Sequence, residues 1–140
     1  MKVRTRGLAG AALAAFLVTA CGGGTSELEA AHEECRAQLE DDDDVGTLLA
    51  NTYTGQLLDN GRAIQVEGKG EDDDHSERFG AIFTATCLLD ELNAPESLTA
   101  RMETTRALDG TQTVSYDGYS YSWSYHPASG MNLLIEQEDE

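Results

Sequence analysis

Apolar and polar positions alternate along this chain with two different periods, and the switch between them marks out the elements. Ser26-Glu27-Leu28-Glu29 has the capping-box form, and Leu28, Ala31, Cys35 and Leu39 then recur at helical spacing. The spacing predicts a helix that runs into Glu40-Asp41-Asp42-Asp43-Asp44, where acids oppose the negative end of the helix dipole and favour fraying into a solvated linker. Residues 56–66 read as a hairpin around Asn60-Gly61, a pair that tolerates positive φ, with Gly68-Lys69-Gly70 breaking the second strand. A second acid run, Glu71-Asp72-Asp73-Asp74, precedes a central helix over 76–92, capped by Asp74 with Glu77 or by Ser76. Its apolar residues, from Phe79 and Ile82 to Leu89 and Leu92, lie nearly all round, which predicts a helix buried on every side.

Asn93-Ala94-Pro95 ends that helix and places Pro95 at the first position of the next. Leu98, Met102 and Thr105 give the next helix a weak stripe that Asp109-Gly110 closes. The last third alternates with period two. Residues 112–116 and 119–125 form a hairpin about Asp117-Gly118, Pro127-Ala128-Ser129-Gly130 turns the chain again, and a strand follows over 131–136. Residues 136–140 read as a loose acidic tail. The fold class is therefore α+β: one small domain, an N-terminal helix followed by approximately ββααβββ, with an antiparallel sheet packed on helices.

The first residues do not belong to that domain. Lys2, Arg4 and Arg6 precede an apolar run over 8–19, the layout of a secretory signal and too short to span a bilayer. Val18-Thr19-Ala20-Cys21 resembles the lipobox of bacterial lipoproteins, with Val18 where Leu is commonest. The resemblance implies cleavage before Cys21 and a diacylglycerol on its sulfur, and the Gly22-Gly23-Gly24 leader would free the domain from the bilayer. The alternative is an ordinary cleaved signal with a structural Cys21. The organisation expected is a signal over 1–20, a lipidated leader over 21–25, a domain over 26–136 and a tail over 137–140.

Charge sharpens this placement. The chain carries 9 Lys and Arg against 26 Asp and Glu, a formal charge of −17, and loss of residues 1–20 leaves six basic groups and −20. Such a chain repels nucleic acid and anionic membrane surfaces, so membrane attachment would fall to the lipid alone. Fourteen of the 26 acids lie in 40–44, 71–77 and 136–140, so the acidity belongs largely to linkers and a tail.

Export puts Cys35 and Cys87 in an oxidising compartment, where they are expected to pair. Metal ligation lacks a CxxC spacing, and neither position reads as an activated thiol. The least ordinary feature is aromatic. Tyr119, Tyr121, Trp123 and Tyr125 alternate with Ser120, Ser122 and Ser124, so four rings share one sheet face, joined by Val114 and Tyr116 across the turn. That face is either the core packed on the helices or an exposed platform, which could stack on cell-wall glycan or anchor an envelope protein.

His126 beside Pro127 reads as a hydrogen-bonded turn residue, with general base or metal ligand as the alternative; no triad spacing accompanies it. His32 reads as structural. The acid runs, including Asp72-Asp73-Asp74-His75, lack the alternating ligands and Gly of an organised Ca²⁺ site. Dinucleotide, P-loop, zinc-protease and nucleophile-elbow motifs are absent, and no metal or cofactor is expected.

Three segments, Cys87-Leu88-Leu89-Asp90-Glu91-Leu92, 105–112, and Trp123-Ser124-Tyr125-His126-Pro127-Ala128-Ser129-Gly130, carry a further likeness. Through them the chain from Cys87 onward resembles a group of small, exported, uncharacterised proteins of high-GC Gram-positive (actinobacterial) organisms. The resemblance implies a shared fold and a single cell membrane beneath a thick wall. The expectation for function is a non-enzymatic binding module anchored on the outer side of that membrane, contacting an envelope protein or wall component. A calcium-binding or ligand-delivery lipoprotein, and a small hydrolase using His126, are the alternatives.

Overall fold

The capping box at Ser26 forms as its residues require: the Ser26 amide donates to Glu29 Oε2 at 2.9 Å and the Glu29 amide to Ser26 Oγ at 3.1 Å. The computed structural model describes residues 25–40 and 51–139. The signal over 1–20, Cys21, most of its leader and the acid run 41–44 lie outside the described residues.

Helix α1 (Glu27–Glu40) buries Leu28, Ala31, Cys35 and Leu39, the four positions of its stripe. Strands β1 (Gly55–Leu58) and β2 (Ala63–Val66) form the first hairpin. Asn60 and Gly61 adopt positive φ (55° and 83°), inside a one-turn 3₁₀ segment over Asp59–Gly61 instead of a two-residue turn. Helix α2 (His75–Glu91) is capped by Asp74, whose Oδ1 accepts from the Ser76 amide at 2.8 Å and from its hydroxyl at 2.6 Å. It ends where Asn93 takes φ 52° and the Ala94 amide reaches back to the Leu89 carbonyl at 2.8 Å.

Helix α3 (Glu96–Thr104) starts one residue after Pro95, which stays extended at φ −69°, ψ 143° and so precedes the helix instead of opening it. It also stops at Thr104. Asp109 closes a separate 3₁₀ turn over Ala107–Asp109, its carboxylate accepting from the Arg106 amide at 2.7 Å.

Strands β3 (Gln112–Tyr116), β4 (Tyr119–His126) and β5 (Gly130–Gln137) complete an antiparallel sheet of order β1-β2-β5-β4-β3. Asp117 and Gly118 turn β3 into β4 with φ of 50° and 80°, which pairs Tyr116 with Tyr119 and Val114 with Tyr121. The helices cover one face of this sheet, and the small α+β domain matches the element order read from the pattern.

Two further expectations fail. The end of the chain is not wholly loose: β5 runs to Gln137, the Glu138 amide donates to the Gly118 carbonyl at 2.8 Å, and Asp139 pairs with Arg62. Nor is α2 buried on every side, because Phe79 is 53% and Ile82 67% exposed. One sheet and two helices can cover only part of the circumference of a third helix. Among the described residues no helix is long and apolar enough to cross a membrane.

Candidate binding surface

Strand β4 decides the fate of the aromatic face. Tyr119, Tyr121 and Trp123 are buried, and they pack with Ile64, Val66, Leu88, Leu133 and Ile135 in one core. An exposed platform at these positions is thereby overturned; Tyr125 is half-buried and His126 alone is fully at the surface. The physical reason is area. An aromatic ring removes about 150–250 Å² from water, more than any aliphatic on the same strands could supply. The opposite, serine-bearing face remains polar, with Thr113 Oγ1 and Ser122 Oγ 3.0 Å apart across the β3–β4 pair.

The rings carry their polar ends to partners. Trp123 Nε1 donates to Thr105 Oγ1 at 2.8 Å, and Tyr119 Oη donates to Glu27 Oε2 at 2.7 Å. Burial and the neighbouring Glu27 raise the Tyr119 phenol well above its ordinary range. Tyr121, pushed up to about 12 by burial and then by Asp117, places its Oη in the core with no hydrogen bond to any described residue.

The other residues singled out by the sequence fall into structural roles. Cys35 and Cys87 are joined by a disulfide that ties α1 to α2. His32 lies one helical turn before Cys35, with Nδ1 2.9 Å from Tyr53 Oη. His126 Nδ1 accepts the Ala128 amide at 3.1 Å, the hydrogen bond of a turn residue. In the second acid run, Asp73 Oδ2 accepts the Gly70 amide at 2.6 Å while Asp74 caps α2. Among the described residues no group of three or more His, Cys, Asp or Glu is placed to hold a metal ion.

What the pattern did not reveal is a groove of about 280 Å³ between α2, α3 and the β2–α2 connector. Its apolar lining is Ala81, Ile82, Ala85 and Leu89 from α2, Met102 from α3 and Met131 from β5. The α2 residues stand at helical spacing, and the small Ala81 and Ala85 leave a trough between the larger side chains. Two cations, Lys69 and Arg78, line the same groove. Lys69 Nζ lies 3.9 Å from the exposed Glu67 carboxylate, while the Arg78 guanidinium makes no hydrogen bond or ion pair with any described residue.

Lys69 is held in place by backbone packing. The connector is pressed against the β4–β5 turn so closely that a Cβ on Gly70 would lie 2.2 Å from the Ala128 carbonyl. The Gly68 amide donates to Asn132 Oδ1 at 3.2 Å, and the Glu71 amide to the Pro127 carbonyl at 3.0 Å. The Gly68-Lys69-Gly70 sequence, legible only as a strand breaker, is thus the strip that docks on residues 127–132 and presents its lysine to the groove. The one signal available beforehand was α2 itself, which carries more apolar residues than one buried face can use. Neither a protein-family model, nor a curated protein, nor a solved structure matches this chain.

Proposed function

We propose that this protein is a lipid-anchored, non-enzymatic binding module on the outer side of the cell membrane, and that its contact surface is the exposed side of α2 with the adjoining groove. The observation that carries the reading is the exposure of Phe79 and Ile82 on a helix whose opposite side lies in the core. Large apolar side chains left together at a surface rimmed by charge mark interaction sites. The contact surface is therefore moved from the Trp123 strand to α2, on the far side of the core from the serine face.

Anchoring is supported by the basic start, the short apolar run and the lipobox-like Val18-Thr19-Ala20-Cys21. The Cys35–Cys87 bond suits an exported chain. The partner is a component of the envelope.

Photo-crosslinking in cells tests the surface. A photoreactive residue at position 82 should give a discrete adduct, and one at position 122, on the serine face, should not. Equal labelling from both positions, or none from 82, removes the reading. A Cys21→Ser chain that stayed in the membrane fraction would remove the anchor.

A further inference from the structure

We infer that the α2–α3 groove holds a medium-chain fatty carboxylate, its chain along Ala81, Ala85 and Leu89 and its head group at Lys69 and Arg78. The inference rests on the reading of α2 as the contact surface and names what occupies it.

Shape narrows the occupant first. The groove of about 280 Å³ falls just under the volumes typical of sites for drug-sized ligands, a size that one flexible acyl chain can fill. The stripe from Arg78 to Leu89 covers eleven residue steps, about 16 Å at the helical rise, a length that an extended medium-chain acid matches. Met102 and Met131 on the opposite wall are unbranched and adapt to a flexible chain.

Charge narrows it further. In a chain with 26 acids and 9 Lys and Arg, two of the cations line this one trough, and Arg78, which pairs with no described residue, offers its planar fork to a carboxylate. The trough's own acid is Glu103. A uniformly anionic bilayer is a poorer match. Glu71, Asp72, Asp73, Asp74 and Glu77 stand at the head of α2 and would meet that surface together with the two cations. A single carboxylate brings one charge to the trough that Lys69 and Arg78 line, and over short distances salt screens such an attraction least.

Calorimetric titration of the full chain with monomeric decanoate at low ionic strength tests this. One molecule should bind per chain, with dodecanoate about tenfold tighter for its two extra methylenes. Decyltrimethylammonium should not bind. The Lys69→Gln/Arg78→Gln chain should bind decanoate at least tenfold more weakly and decanol unchanged. Ile82→Asp should abolish binding of both while circular dichroism and melting stay as in the parent.

Equal binding of decanoate and decanol by the parent chain, or an unaltered affinity in the double variant, overturns the inference. So does sedimentation with anionic vesicles that Ile82→Asp abolishes, in the absence of decanoate binding, which would make this face a membrane contact. A position-82 crosslink to a protein, with no decanoate binding, overturns the carboxylate and leaves the contact surface standing. Neither crosslink nor binding overturns both.

Discussion

Tyr53 and His32 meet edge to face, with ring centroids 5.2 Å apart and the phenol oxygen 2.9 Å from imidazole Nδ1. The pair links α1 to the segment that leads into β1, one turn from the disulfide. Burial lowers the His32 pKa below its ordinary 6.5; Glu33 opposes the shift and Arg36 adds to it. Burial also raises the Tyr53 phenol far above its ordinary value, so it stays protonated.

The folded chain thus takes up the His32 proton at lower pH than the unfolded chain does. Its contribution to stability is fully present above the ordinary histidine pKa and is lost as pH falls through that value toward the folded one. Between about pH 7.5 and pH 5 the parent should lose melting temperature that His32→Gln does not. Identical losses in the two chains would show that His32 does not couple to folding. Thermal melts across that range supply the measurement.

The Cys35–Cys87 bond closes a loop with a sequence separation of 52. On the chain-entropy model that is worth about 4 kcal/mol, so Cys35→Ala/Cys87→Ala should lower the unfolding free energy by about that amount. Urea unfolding of the parent with and without reductant should reproduce the same difference. The loss acts mainly through the unfolded chain.

Tyr119 and Tyr121 sit two residues apart in the same core and should respond oppositely to loss of their hydroxyls. Tyr119→Phe deletes the hydrogen bond to Glu27 and should cost about 1 kcal/mol. Tyr121→Phe removes a buried hydroxyl with no partner among the described residues and should stabilise by about 1 kcal/mol. Denaturant midpoints with an unchanged slope would report both.

Trp123 is 2% exposed and its indole N–H is satisfied by Thr105. Acrylamide should therefore quench its fluorescence weakly in the native state and strongly after unfolding. Thr105→Val leaves the buried N–H without an acceptor and should cost about 1–3 kcal/mol. Strong native quenching would contradict a buried β4 face.

Gly80 separates local preference from packing. Helix propensity alone makes Gly80→Ala a gain of about 1 kcal/mol in mid-helix. A Cβ there would lie 2.2 Å from the Thr52 carbonyl oxygen, a backbone atom that cannot rotate away. The substitution should instead destabilise by about 1–3 kcal/mol, read as a lowered urea midpoint.

The elements that were legible in advance are those whose signals are local. The Ser26 capping box, the α1 stripe, the left-handed pairs Asn60-Gly61 and Asp117-Gly118, and the alternation of 119–125 each depend on a few adjacent residues, and each formed. Boundaries shifted where two signals competed. Pro95 yielded the helix start to Glu96, and Asp109-Gly110 closed a 3₁₀ turn because Thr104 had already ended α3. The groove had no such local signature. Lys69 and Arg78 stand nine positions apart on a connector and a helix, and Met131 comes from the last strand.

By itself the sequence determined the order of helices and strands, the two faces of β4, and the residues able to turn or cap, because backbone conformation and side-chain period act over only a few residues. It also carried the address-like start and the acid-rich segments. The tertiary structure alone decided which β4 face would be covered and that α2 would keep Phe79 and Ile82 at the surface. It alone pressed Gly68-Lys69-Gly70 onto the 127–132 turn. Those outcomes depend on how much area each layer can shield and how closely two backbones approach, quantities that exist only once distant segments have packed.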